Sequence, residues 1–175
     1  DGRWDVFSGQ YFTEFDPKVH VVPEFAIPRG WRRYVTIDYG LDMLAAYWIA
    51  EDAKGGCYVY REVYEPGLIV SEAAERIRRL SEGEPKALVL APPDLWSRQR
   101  ETGKTTAEIF AEHGVYLTQT GNCRVDGWLA VKEELKVTVS ETGEKTARLR
   151  IFPCCKNLIR CLPLLRHDER DPNDV

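Results

Sequence analysis

The chain has no apolar run long enough to cross a membrane, no segment patterned as a secretory signal, no internal repeat and no low-complexity tract. These absences argue against a membrane protein or a repeat array and leave a globular composition. A disulfide framework is missing too. The five cysteines, Cys57, Cys123, Cys154, Cys155 and Cys161, are odd in number and two are adjacent, which suits a reducing cytosol better than a secreted scaffold. Nor is there an excess of positive charge. The net charge is −4, so any contact with nucleic acid must come from local basic patches.

With 43% hydrophobic and 30% charged residues, the 175-residue chain is sized for one domain whose core needs neither disulfides nor a structural metal. Asp1-Gly2-Arg3-Trp4 reads as the interior of a longer protein, and Asp171-Pro172-Asn173-Asp174-Val175 as a polar stretch without a closing element.

Residues 1–30 show no sustained period. They are rich in aromatics, punctuated by Pro23 and Pro28, and read as a connecting arm that packs on something. From Tyr34 the pattern sharpens. Tyr34-Val35-Thr36-Ile37-Asp38 predicts a strand ended by Gly40, and 44–50 and 57–64 predict two more around a glycine-rich turn, making an antiparallel meander. A helix follows, with Ile69, Ala73, Ile77 and Leu80 on one stripe. Ala87-Leu88-Val89-Leu90-Ala91, apolar at every position, predicts a strand in the middle of a sheet covered on both faces. Thr105 and Glu108 have capping-box spacing at the start of a second helix, 105–113, and Gly114 stands at its end. A fifth strand at 115–118 and a third helix marked by Val125, Trp128, Leu129 and Leu135 come next. Strands 137–139 and 148–151 then predict a hairpin with a polar tip, followed by a short helix at 157–162. The order β-β-β-α-β-α-β-α is that of the ribonuclease H-like fold. By analogy with that fold, the first strand lies parallel to the fourth.

Two carboxylates carry the chemistry. Asp38 ends the first strand, and Asp94 follows the all-apolar strand after Pro92-Pro93. Open α/β sheets bind ligands beyond the carboxyl ends of their strands. Taken singly, each aspartate is a turn residue. Taken together, at matching ends of two core strands, they point to a site for a divalent cation, which relieves carboxylate repulsion and favours hard oxygen ligands. Asp42 is a further metal ligand or an ordinary turn residue. Arg98, Arg100 and Lys104 cluster beyond Asp94, Arg124 opens the third helix, and Lys145 sits on the hairpin with Arg148 and Arg150. These are candidate contacts to phosphate oxygens near such a cation; a solvated surface is the preferred reading for all but Arg98 and Arg100.

Other features point nowhere. Gly103-Lys104-Thr105 resembles the end of a phosphate-binding loop, but Arg98 stands where the required earlier glycine would be. Cys154, Cys155, Cys161 and His167 have no common zinc spacing, and with Leu158 and Leu162 nearby the cysteines read as buried, inert thiols. His20 and His113 are expected at the surface.

Three segments carry a family resemblance: Trp4-Asp5-Val6-Phe7-Ser8-Gly9-Gln10-Tyr11-Phe12, the run from Pro92-Pro93-Asp94-Leu95-Trp96 through Thr102-Gly103-Lys104, and Arg124-Val125-Asp126-Gly127-Trp128. The ending Asp168-Glu169-Arg170-Asp171-Pro172-Asn173-Asp174-Val175 fits as well. Together they resemble the large subunit of phage and prophage terminases, over nearly the whole chain. That resemblance implies a nuclease domain at 31–175, truncated at its C-terminal end, joined through the arm at 1–30 to an upstream packaging ATPase. It implies Mg²⁺ or Mn²⁺ in a two-metal site, with Asp38 and Asp94 as the first and second catalytic aspartates. A third would come from a later helix, after the present ending. It further implies double-stranded DNA as substrate, portal and small terminase subunit as partners, and the cytoplasm of the bacterial host as location. A non-catalytic ribonuclease H-like module that binds DNA or docks to the portal is the alternative. A resolvase or transposase of the same fold is a third reading, disfavoured by the segments around Asp94 and Trp128.

Overall fold

The computed structural model describes residues 9–40, 42–98, 103–121 and 123–168. A short helix, α1 (Pro17–His20), precedes the meander β1 (Arg32–Tyr39), β2 (Met43–Glu51) and β3 (Cys57–Pro66). Then come α2 (Val70–Leu80), β4 (Leu88–Ala91), a 3-10 turn (Pro93–Trp96), α3 (Thr106–Glu112), β5 (Leu117–Gln119) and α4 (Arg124–Leu135). The chain continues as β6 (Thr138–Val139), β7 (Lys145–Thr146), β8 (Leu149–Ile151), α5 (Lys156–Cys161) and a second 3-10 turn (Leu162–Leu164). Six strands form one sheet in the order β5-β4-β1-β2-β3-β8, and β6 and β7 form a separate hairpin. Within the sheet β1, β2 and β3 are antiparallel neighbours, while β4 lies parallel to β1, β5 parallel to β4 and β8 parallel to β3. This is a mixed, ribonuclease H-like sheet flanked by helices.

Alternation along the strands decides which residues face which core. Val35 and Ile37 on β1 and Leu44, Ala46 and Trp48 on β2 face α2 and α3, where they pack against Ala73, Ala74, Ile77 and Phe110. The crossovers β3-α2-β4 and β4-α3-β5 advance in the same direction across the sheet. Their single preferred hand puts both helices on one face. The Thr105–Glu108 capping box forms as its spacing predicts: Glu108 N donates to Thr105 Oγ1 at 3.0 Å, and Thr105 N donates to Glu108 Oε2 at 2.7 Å. After α3 the chain turns through Gly114 at φ +81°, a conformation that favours glycine.

A second core lies on the other face, over the β2-β3-β8 half of the sheet. It joins Tyr11, Phe12 and Phe15 of the arm to Val59, Leu135, Ile151, Cys155 and Leu162. A bulge makes this possible. Between Trp48 and Ile49 the register shifts, so that Arg61 pairs with Trp48 but Val59 pairs with Ile49. The extra residue, Tyr60, moves Val59 from the first core to the second.

Several sequence expectations are corrected. The hairpin partner of β6 is β7, not 148–151. Those residues carry the fully buried Ile151, which enters the main sheet beside Val59. Arg148 and Arg150 therefore leave the hairpin. Arg148 pairs with Glu134 at 3.2 Å and bonds Gly55 O, and Arg150 binds the Tyr58 hydroxyl and Thr146. His20 is fully buried rather than at the surface, its Nε2 2.8 Å from Leu135 O and its Nδ1 accepting from Asp16 N at 3.0 Å. His113 is half-buried as the C-cap of α3. The five cysteines are free thiols. Cys155 is buried, and burial raises its pKa strongly, but Cys154 is exposed, so the adjacent pair is not uniformly interior. Leu88 is 46% exposed, so β4 has a neighbour on each side in the sheet but is not covered on both faces.

Two outcomes follow for stability. Phe110→Ala should cost about 3–5 kcal/mol by urea unfolding, because a fully buried ring is lost from the first core. Tyr116→Ala, at a ring 74% exposed, should stay within about 0.5 kcal/mol. Equal losses would mean the packing is misassigned. Separately, Thr105→Ala should cost about 1 kcal/mol. The Thr105 backbone amide holds the Glu108 carboxyl below its usual range. The folded pKa is depressed, so this contribution is present above about pH 4.3, the usual Glu value, and fades as pH falls through the lowered one. Acid unfolding of Glu108→Gln should lack that component.

Candidate metal centre

Because Val35 and Ile37 point into the first core, Thr36 and Asp38 point to the opposite face. Asp38 is the penultimate residue of β1, pairs in register with Ala45 of β2, and is exposed. On its other side β1 runs parallel to β4, with Tyr34, Val35 and Thr36 opposite Leu88, Val89 and Leu90. Both strands therefore end at the same edge of the sheet. Past buried Ala91 the chain extends through Pro92 and turns into the 3-10 segment. Pro93 suits the first position of that turn because its missing N–H has no partner to lose there. Leu95 is 3% exposed and anchors the turn, while Asp94 faces solvent and its carbonyl accepts from Ser97 N at 2.9 Å. The end of β5 is tied to the same corner: Thr120 N and its hydroxyl both donate to Ala91 O.

Many carboxylates elsewhere in the described residues are engaged. Glu62 accepts from Asn157 N and Leu158 N, Glu84 pairs with Arg61 at 2.7 Å, and Glu65 pairs with Arg76. The Asp38 and Asp94 carboxylates take no hydrogen bond or ion pair among the described residues, so their oxygens are open to a ligand. Asp42 sits in the β1–β2 turn at the same edge, leaning over Gly40, where a Cβ would lie 3.7 Å from its Oδ1. The adjacent Tyr39 hydroxyl donates to Leu68 O at 2.9 Å, which holds the entry to α2. Burial, and then the nearby Glu72, raises the Tyr39 pKa. Open, anionic hard oxygens at one sheet edge fit the ligand chemistry of Mg²⁺ or Mn²⁺. Among the described residues no three acidic, histidine or cysteine side chains gather into a metal-holding group, so Asp38, Asp42 and Asp94 do not form a preassembled cage of three.

The basic candidates disperse. Arg98 is exposed and donates to Gly103 O at 3.0 Å. Lys104 lies beside it but pairs with Glu112 at 2.6 Å, which offsets its charge locally. Arg124 opens α4, and Lys145 is exposed on β7 at the hairpin. Arg100 lies outside the described residues, as do Asp171 and Asp174 of the acidic ending. Sequence reasoning missed the Arg61–Glu84 pair and Arg33 at the far end of the sheet. The one available signal was the charge density of β3, which alternation assigns to solvent.

No family model and no curated protein matches the chain. Solved structures do. The large terminase of a thermophilic bacteriophage, in complex with ADP, is 20% identical, with a TM-score of 0.75 over 94% of this chain and 39% of that one. The large terminase nuclease of thermophilic phage G20c with bound magnesium is 16% identical, with a TM-score of 0.61 over 93% of this chain and 85% of that one. The fold is therefore that of a ribonuclease H-like nuclease. More particularly, it is the fold of the nuclease region of large terminases, and the chain spans about 39% of the length of the ADP-bound protein. No described helix is long and apolar enough to cross a membrane.

Mn²⁺ or Mg²⁺ should raise the thermal midpoint of the protein through these two carboxylates. Saturation near 100 Kd corresponds to about 2.7 kcal/mol. Asp38→Asn and Asp94→Asn should each abolish the shift while leaving the metal-free melting curve in place. A shift that persists in Asp94→Asn would remove that residue from the centre.

Proposed function

We propose that this chain is the metal-dependent endonuclease domain of a terminase large subunit, cutting double-stranded, concatemeric viral DNA during genome packaging. One observation carries the reading: two unengaged carboxylates, Asp38 near the end of β1 and Asp94 in the turn just after β4, follow neighbouring parallel strands to one edge of a sheet whose fold is that of terminase nucleases. The G20c nuclease, with its bound magnesium, supports the choice of metal. Asp38 and Asp94 serve as catalytic ligands, with Asp42 as an additional ligand from the adjoining turn. When bound, Mg²⁺ or Mn²⁺ ions supply an activated water and stabilise the leaving oxygen of the phosphodiester. Arg98, Arg124 and Lys145, with Arg100 and Lys104, attract and orient the DNA backbone, a contribution that weakens as salt rises.

In this reading residues 1–30 connect to an ATPase domain of the same protein. The portal and the small terminase subunit are its partners, and the site of action is the cytoplasm of the bacterial host. A second reading is a non-catalytic ribonuclease H-like module that binds DNA or docks to the portal. It draws on the absence of a three-ligand group among the described residues. Plasmid cleavage in Mn²⁺ separates the two. A large subunit carrying this domain should cut, and Asp38→Asn or Asp94→Asn in it should each fall to background with an unchanged circular dichroism spectrum. A protein that binds Mn²⁺ and DNA yet never cuts would establish the non-catalytic module.

A further inference from the structure

At the end of the sheet opposite Asp38 lies a cavity of about 540 Å³, bounded by arm residues 24–27 and Arg29, by Tyr60 and Arg61 of β3, by the loop after α2 and by Phe152. Arg33 lines it near the start of β1, five residues before Asp38 and so roughly 17 Å from it along an extended strand. That arginine occupies an inward position of its strand and is only 7% exposed. Its guanidinium lies 5.3 Å from the centre of the Tyr60 ring, and Nη2 donates to Ile27 O at 3.2 Å and Pro28 O at 3.1 Å. Nε is buried without an acceptor. No carboxylate among the described residues pairs with Arg33. A buried cation without a counter-ion is costly, and a fixed anion nearby relieves that cost.

The rest of the lining has the same character. Arg29 is exposed in the cavity and likewise has no carboxylate partner among the described residues. Arg61 also reaches the cavity, but its charge is offset by Glu84 at 2.7 Å, and Glu84 in turn accepts from the Tyr60 hydroxyl at 2.6 Å. Among the described residues lining the cavity, Glu24 is the carboxylate left to oppose an incoming anion, and it lies beside the Cys154 thiol. Two guanidiniums without a carboxylate partner against one carboxylate leave a net positive charge for an anionic ligand. Arginine forks suit phosphate oxygens in particular. One wall is aromatic: Phe25, 41% exposed, packs edge-on against Trp31, Tyr58 and Phe152 at 5.9, 5.3 and 5.1 Å. The volume is that of a pocket for a small molecule rather than for a strand of nucleic acid.

We propose that this cavity binds a small phosphomonoester bearing an aromatic ring, with the phosphate on Arg29 and Arg33 and the ring against Phe25. The site is separate from the carboxylate edge and does not depend on the nuclease reading. The competing explanation is structural: Arg33 is satisfied by two carbonyl oxygens and the face of Tyr60, and the cavity is only the seam between arm and sheet.

Isothermal titration in the absence of divalent metal decides between them, with adenosine 5′-monophosphate, adenosine and inorganic phosphate as probes. The monophosphate should bind at one site per chain, with adenosine and inorganic phosphate each weaker by about tenfold or more. Arg29→Glu, at an exposed position whose loss leaves no partner stranded, should weaken the monophosphate by at least about tenfold, roughly the worth of one charge-assisted hydrogen bond. Arg33→Lys should weaken it as well, because an ammonium lacks the fork. Asp38→Asn should leave it unchanged. No binding of the monophosphate at millimolar concentration, equal affinity for inorganic phosphate, or binding untouched by Arg29→Glu would each overturn the proposal.

Discussion

The parallel pairing of β1 with β4 is the contact on which the candidate site depends. Asp38 and Asp94 are 56 positions apart in the chain and share no local structure. They arrive at one edge because Thr36 of β1 lies opposite Leu90 of β4 and both strands run the same way to their ends. A slip of one residue in β1 would turn Asp38 toward Phe110 and the first core and bring Ile37 out to solvent, because side chains alternate with a period of two. The apolar surface of Val35 and Ile37 therefore holds the carboxylate in its outward position. That register needs a crossover, and α2 supplies it: Ala73, Ala74 and Ile77 seat the helix on the same face as Trp48, whose indole N–H is satisfied by Ser81 Oγ at 3.0 Å.

The two faces of the sheet are built differently. The first is covered by α2 and α3, as the hand of the crossovers requires. The second is covered over half its width by α4, on the connection from β5 to β8, and by pieces from both ends of the described chain. The bulge at Tyr60 is what lets β3 serve both cores, with Val63 in one and Val59 in the other. His20 ties the arm to the end of α4 through Leu135 O, and Lys132 adds an ion pair to Glu14 at 3.2 Å. The β4 half of this face stays open, which is why Leu88 is half exposed and why Asp38 meets solvent.

Charge is arranged to the same purpose. Along β3 and α2 nearly every ionised group has a partner, as in Arg61 with Glu84 and Arg76 with Glu65. At the two ends of β1 the pattern fails in opposite senses: unengaged carboxylates at the C-terminal end, unpaired guanidiniums at the N-terminal end. Solvated surface pairs contribute little to stability. Unpaired groups held in place by a packed strand are where ligand chemistry is concentrated.

Local chemistry made much of this legible in the sequence. The meander, the capping box of Thr105 and Glu108, the turn after Pro92 and the outward alternation of Asp38 all depend on neighbours a few residues away, and each took the form its pattern implies. The order of helices and strands matched the ribonuclease H-like fold, and analogy with that fold supplied the expectation of a parallel β1–β4 pair. What the sequence could not contain is anything set by partners distant in the chain. The all-apolar β4 implied two covered faces, but coverage depends on what packs above it. Residues 148–151 carry a strand pattern that suits a hairpin as well as the main sheet, and Ile151 chose the sheet because burial beside Val59 removes more apolar surface from water than pairing at an exposed hairpin. His20 looked like a surface residue because nothing near it in sequence can accept its Nε2 proton. Its acceptor, Leu135 O, is 115 positions away, and only the folded chain brings the two within 2.8 Å.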